Sequence, residues 1–304
     1  MSVFPLSSIQ KAVSSLSPNH IREQSERPLQ VALYAPSPEA YRSMEEFFVA
    51  GMHDRRRRDS LEVLTRGPAP QDALKYDLAI YHESVLAPRR AMVFHQQAPE
   101  LVVKRILVKH PELAIPLSRY FAPFRKEFTS AMIRKVSREN ALFSLATALP
   151  DIIPSFIELP WAIAEFASDT AVLTANQIRL AFVLAAASDR PVGYSEQKSE
   201  IASLIGGAFG WRALARQVIS KIPFGGGLIP KAAIAYAGTR VVGLTLERYY
   251  HLGYMYTREE RESLYQEAFQ HGKKVAHQIL RTLRPDLLKK EEERKASGAE
   301  TANA

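Results

Sequence analysis

Asp169-Thr-Ala-Val-Leu-Thr-Ala-Asn-Gln-Ile-Arg179, with Gly206-Gly-Ala-Phe-Gly-Trp-Arg-Ala-Leu-Ala-Arg-Gln217 and Ala235-Tyr-Ala-Gly-Thr-Arg240 behind it, decides how the second half of the chain is read. Small residues recur at helical spacing among a few large apolar ones, the pattern of helices whose backbones approach closely. A glycine inside a soluble helix costs about 1 kcal/mol relative to alanine, so Gly206 and Gly210, four apart, call for a packing partner. Ala233 and Ala237 repeat the spacing.

Polar residues punctuate these helices. Asp169, Asn176, Gln177 and Arg179 come from the first, and Arg212 and Arg216 sit one turn apart on the edge of a later apolar stripe. Facing each other, they would form a buried polar network that fixes helix register. The functional alternative is that Arg212, Arg216 and Lys231 hold a phosphate or lipid headgroup.

Working outward, Leu149 to Trp161 is broken by Pro150, Pro154 and Pro160 and reads as a broken connection between helices. Helical pattern resumes from Trp161 to Ser188. Ser195 is a candidate N-cap for a helix to about Ile222, and Ile222-Pro-Phe224-Gly225-Gly226-Gly227-Leu-Ile-Pro230 is a sharp apolar turn. Another small-residue helix runs to about Leu252. Thr257 with Glu260 three positions on is a capping box that opens a helix from Arg258 to about Leu283. The charged end, 285–304, has the composition of a disordered tail.

The first half has a different period. Leu6, Ile9, Val13 and Leu16 form a short amphipathic helix ended at Ser17-Pro18. Strands are expected at Leu29–Tyr34, Ser60–Thr65, Tyr76–Tyr81 and Ala91–Phe94, with a helix over Pro38–Val49. That alternation suggests a small parallel sheet. Amphipathic helices follow over 99–115 and 117–136.

The helical half resembles the YcjF-like domain of unknown function, found in some bacterial inner-membrane proteins and behind the GTPase domain of some Era-like GTPases. Phe124-Arg125-Lys126 through Val136, then Arg138-Glu-Asn-Ala141, is similar to that domain's approach helix. The resemblance implies association with a membrane. Val31-Ala-Leu-Tyr-Ala35-Pro-Ser-Pro-Glu-Ala40-Tyr41-Arg42 resembles the first strand and phosphate loop of a GTPase stripped of its chemistry. A working loop needs glycines, a lysine and a Ser or Thr for magnesium. Those positions hold Ala35 and Ala40, Tyr41, and Arg42. Met92-Val-Phe-His95-Gln96 stands where a guanine-reading Asn-Lys would be, and Asp77 precedes its strand, the wrong end for a magnesium ligand. A small α/β domain without GTPase ancestry is the alternative.

Other chemistry is poorly served. Eight histidines include no His-Glu-x-x-His, and the chain has no cysteine, which excludes disulfides and thiolate zinc sites. Gly193-Tyr194-Ser195 begins like a nucleophile elbow, but Gln197 replaces the closing glycine. Glu158 and Glu165 are not marked as an acid/base pair. Arg55 to Arg58, bracketed by Asp54 and Asp59 without aromatic neighbours, reads as a solvated loop, so nucleic acid is disfavoured. The formal charge of +8, from 40 basic against 32 acidic residues, favours anionic surfaces. The start lacks a secretory pattern. A membrane span needs about 20 mostly apolar residues. Thr170–Ser188 is interrupted by Arg179, and Ile222–Leu246 by Lys231 and Arg240, so a soluble or peripheral helical domain is favoured over a Gly-rich hairpin inserted around Phe224–Ile229, and that over true spans.

Four segments result: an amphipathic segment over 1–27, a degenerate GTPase-like α/β domain over 28–116, a YcjF-like all-α domain over 117–284, and a tail over 285–304. The function expected is non-catalytic binding or scaffolding at the cytoplasmic face of a bacterial inner membrane, or in the cytoplasm. Its partner is an anionic membrane surface, a membrane protein or a second copy, and no cofactor or metal is indicated. A nucleotide-responsive GTPase-like protein, or a soluble partner of a true GTPase, is the alternative.

Overall fold

The structure, a computed structural model, describes residues 16–67, 75–148, 169–206 and 227–285. The chain divides into two compact units, Ser17–Met132 with Ala181–Gln197, and Met1–Leu16 with Ile133–Leu180 and Lys198–Ala304.

The first unit contains a four-stranded parallel sheet. Its elements are α1 (Asn19–Glu26), β1 (Val31–Tyr34), α2 (Pro38–Val49), α3 (Asp54–Glu62), β2 (Leu64–Arg66), β3 (Leu78–His82), β4 (Met92–Phe94), α4 (Glu100–Lys109) and α5 (Ala114–Tyr120). The order is β2-β1-β3-β4, with Val31 beside Leu64 and Leu78, and Ile80 beside Met92. β1 is buried along its whole length, as a central parallel strand must be. Val31, Leu33, Leu78, Ile80, Met92 and Phe94 share one core with Met44, Phe48 and Val49 of α2 and with Val102, Val103 and Ile106 of α4. Phe48 is its centre, its ring 5.5 Å from Phe121 and 5.9 Å from Phe124.

The opposite face is built differently. Ala32, Tyr34 and Tyr81 form a separate small cluster, the two tyrosine rings stacked at 4.6 Å. The β2–β3 and β3–β4 links, 67–77 and 83–91, are each shorter than the roughly dozen residues that a helical crossover takes.

Several expectations are corrected here. Leu117, Phe121 and Phe124 belong to the sheet's core, so the α/β unit extends to Met132, and 181–197 rejoins it. Arg55–Arg58 lie on helix α3 and not in a loop, and that helix takes Ser60, leaving only Leu64–Arg66 as strand. The Ser60 hydroxyl donates to the Tyr120 carbonyl at 2.7 Å, a tertiary bond that local strand propensity cannot foresee.

The second unit is helical. It draws on α6 (Ala122–Ala146) and α7 (Asp169–Ala187), which supply residues to both units, and on α8 (Leu228–Leu252) and α9 (Arg258–Leu283). α8 ends at Gly253, whose φ of +83° lets its N–H reach the Tyr249 carbonyl. α9 opens on the Thr257–Glu260 capping box. Ala233 and Ala237 pack with Tyr265, Ala268 and Phe269, while Tyr236, Ala141, Leu145, Ala276 and Leu280 form the adjoining cluster. Helical backbone also runs over 198–206; Ser195 lies in the preceding turn and not at its cap. That turn is closed by Gln197, whose Oε1 accepts from Gly193 N–H at 2.9 Å while its Nε2 donates to the Pro191 carbonyl at 2.8 Å.

Among the described residues, the tightly packed helical glycines are Gly272 and Gly243. A Cβ on Gly272 would lie 3.0 Å from the Ala233 carbonyl oxygen and 3.1 Å from its Cα, both backbone atoms. On Gly243 it would meet Ile133 at 2.8 Å, whereas on Gly206 it meets no atom within 4 Å among the described residues. Gly210 lies outside the described residues. Gly272→Ala is therefore expected to destabilise by about 1–3 kcal/mol through overpacking. Gly206→Ala should be neutral or stabilising by up to about 1 kcal/mol, and denaturant unfolding of the two variants checks the contrast.

Candidate functional site

In an open parallel sheet, ligands bind outside the carboxyl ends of the strands where the order reverses, here between β1 and β3. β1 leads through Ala35 and Pro36 to Ser37, whose hydroxyl caps α2 by accepting from Ala40 N–H at 3.3 Å. Glu39 stands in the first turn. Backbone N–H donation holds its carboxyl below the usual range, with the Ser37 hydroxyl and Arg42 lowering it further. A carboxylate thus sits at the positive end of the helix dipole, where a phosphate would have to come. Arg42 pairs with Glu39 at 3.1 Å, and Arg66 lies 5.4 Å over the Tyr41 ring.

The other strand ends are also engaged. Tyr34 and Tyr81, stacked and buried, fill the ends of β1 and β3, and a Cβ on Gly67 after β2 would strike the Tyr34 ring. Glu83 pairs with His95 Nδ1 at 2.9 Å and accepts from Gln96 N–H at 3.1 Å, which hold its carboxyl below the ordinary range. Asp77 is used at the opposite edge of the sheet, binding Arg27 Nη2 at 2.7 Å and Gln30 N–H at 3.0 Å.

In the helical unit, Asn176 and Gln177 come together with residues not singled out from the sequence. Asn176 Nδ2 donates to Asn140 Oδ1 at 2.7 Å, and Asn140 Nδ2 to Thr239 Oγ1 at 2.7 Å. Gln177 Nε2 reaches the same hydroxyl at 3.3 Å. Asn140, Asn176 and Thr239 are wholly buried, so this chain ties α6, α7 and α8 in one register. Arg179 pairs with Glu139 at 3.0 Å, and Lys231 Nζ donates to Thr147 Oγ1 at 3.2 Å. Arg212, Arg216, Phe224, Gly225 and Gly226 lie outside the described residues, as does the Asp169 side chain. Gly227 is the N-cap of α8.

A third constellation lies in the α/β unit, and the sequence reading passed over it. Arg125, in the first turn of α6, is buried and donates from Nε to the Ser118 and Ala187 carbonyls at 3.1 and 2.9 Å, and from Nη2 to the Arg119 carbonyl at 3.2 Å. Arg56 Nη2 donates to the Arg119 carbonyl at 3.0 Å. Arg119 binds Asp189 at 2.6 Å and the Ser25 carbonyl at 2.7 Å. These carbonyls lie in the last turns of α1, α5 and α7, whose unpaired acceptors and negative dipole ends suit guanidinium. Burial, and then the Arg56 charge, push the Arg125 guanidinium down to about 10, so it remains protonated at neutral pH. The legible signal was Arg119 and Arg125 flanking Phe121 and Phe124 in a stretch that is otherwise core.

Compared with protein-family models, curated proteins and solved structures, the chain matches none.

Arg125→Lys keeps the charge but replaces the planar fork by a point donor. Each buried carbonyl left unsatisfied costs about 1–3 kcal/mol, so a loss of at least about 2 kcal/mol is expected in urea unfolding. Thr239→Val keeps the side-chain shape but strands the Asn140 and Gln177 amides. A loss of about 2–4 kcal/mol is expected by the same measurement.

Proposed function

We propose that this is a non-catalytic binding or scaffolding protein that works at an anionic membrane surface, with a sheet of GTPase-like ancestry that no longer takes nucleotide. The observation that carries the non-catalytic part is Glu39, a carboxylate at the N-terminus of α2 where the phosphate of a nucleotide would sit. Ser37 occupies the Ala40 N–H, and the stacked Tyr34 and Tyr81 fill the strand ends beside it. A parallel sheet of order β2-β1-β3-β4, whose first strand turns directly into a helix, supports the ancestry.

The membrane part rests on the formal +8 charge and on the resemblance of the helical half to the YcjF-like domain. Peripheral attachment is favoured over insertion by one observation. Thr170–Ala187 is the one stretch among the described residues long and apolar enough to cross a bilayer, and it is 83% buried within the protein.

Equilibrium binding of fluorescent GTP and GDP to the full chain tests the first part. No saturable binding is expected, either in the wild type or in Glu39→Gln, because the tyrosines still close the strand ends. Saturable binding lost in Ser37→Ala would restore a nucleotide-responsive protein. Membrane fractions washed with high salt and then alkaline carbonate test the second part: release by salt is expected, and retention through carbonate would mean insertion.

A further inference from the structure

One side of α4 builds the core, and the other breaks the rule for a surface helix. Val102, Val103 and Ile106 enter the sheet's core, with Leu107 packed against it. The outward side of such a helix is normally charged or polar. Here Leu101 is 57% exposed and Val108 80% exposed. They stand about two helical turns apart, so they form one line along the helix. The 3.6-residue repeat puts Lys104 on one side of that line and Arg105 and Lys109 on the other, all three exposed.

The three cations are available for a partner. Among the described residues, the side chains of Lys104, Arg105 and Lys109 make no hydrogen bond, ion pair or ring contact. α4 holds a single carboxylate, Glu100 in its first turn, and the next along the chain, Glu112, is taken up by His110 at 3.3 Å. An aliphatic line flanked on both sides by long cations suits a membrane interface, where apolar side chains enter the acyl boundary while Lys and Arg stems bend to place their charges on headgroups. A protein partner would call for another composition. Protein interfaces are enriched in aromatics and depleted in lysine, and α4 has two lysines and no aromatic residue.

We propose that the outward face of α4 is the surface that meets the membrane: Leu101 and Val108 enter a bilayer containing anionic lipid, and Lys104, Arg105 and Lys109 bind its headgroups. This rests on the reading of the protein as one that works at an anionic membrane surface, and it goes beyond total charge by naming the helix that makes the contact. Attraction to anionic lipid brings the face to the bilayer, and the two aliphatic side chains orient it there. Two such side chains are too few to hold the protein once charge is screened, so release by salt still follows.

The chain has no cysteine, so one placed in the full chain as Val108→Cys can carry a polarity-sensitive fluorophore. Leu86→Cys, at a residue 95% exposed on the β3–β4 link, is the comparison. With vesicles of phosphatidylcholine and phosphatidylglycerol, a blue shift is expected at Val108→Cys, absent with phosphatidylcholine alone and reversed by high salt; none is expected at Leu86→Cys. Sedimentation with the same vesicles should show binding about fivefold weaker in Lys104→Gln and in Lys109→Gln. The double variant Leu101→Gln, Val108→Gln should bind about tenfold more weakly. Arg58→Gln, which removes an exposed charge from α3, should bind nearly as the wild type does. Circular dichroism of each variant separates loss of binding from loss of fold. Vesicle capture without a shift at Val108→Cys, or equal weakening by Arg58→Gln and Lys104→Gln, would overturn the α4 face and leave the membrane reading standing. No capture of the wild type by anionic vesicles would overturn both and leave an acidic protein as the partner of this face.

Discussion

Arg125 sets a constraint that the α/β unit is arranged to meet, because a buried guanidinium still charged at neutral pH must be surrounded by acceptors. It finds them in backbone. α5 ends at Tyr120 and α6 begins at Ala122, so the carbonyls of Ser118 and Arg119 are left without helical partners one turn from the Arg125 side chain. The end of α7 adds the Ala187 carbonyl. Two problems, orphan carbonyls and a buried cation, cancel each other. The junction bends at Phe121, and the bend sends Leu117, Phe121 and Phe124 into the sheet's core against Phe48. This is why the unit does not end where its strands end.

The sheet itself follows from ordinary rules, and its strand-end crevice departs from them. Continuous apolar strands and a Ser37-Pro38 helix start build the first strand–helix unit, as they would in a nucleotide-binding fold. At the strand ends the protein's own groups take the positions that a phosphate would need: Ser37 takes a helix N–H, Glu39 the dipole, and Tyr34 and Tyr81 the space. Filling the crevice in this way is favourable, since unpaired donors and voids both cost stability.

What was legible in the sequence were elements specified by local chemistry. Pro38–Val49 and Arg258–Leu283 are helices with the bounds that their caps dictate, and the strands centred on Val31 and Leu78 were visible as apolar runs. What was not legible depends on distant partners. Asn176 and Gln177 were recognisable as polar residues on a small-residue helix, but Asn140 and Thr239 are 36 and 62 or more residues away. Arg56 sits in a run of four arginines and differs from Arg57 only in which way the helix turns it. Gly272 was overlooked because α9 carries no glycine spacing at all; its importance comes from the backbone of Ala233 on the neighbouring helix.

The helical unit shows how an apolar helix is taken up by packing within the protein. α7 reaches a mean hydropathy of 1.4 over Thr170–Ala187, high enough to suggest lipid by composition. Its polar residues nevertheless find partners inside the protein: Asn176 on Asn140, Gln177 on Thr239, and Arg179 on Glu139. Its small residues are consumed as well, with Ala171, Ala175 and Ala181 wholly buried and Leu180 set against Gly243. Neighbouring residues thus meet both its apolar surface and its polar groups. Its hydropathy is accounted for by packing inside the protein.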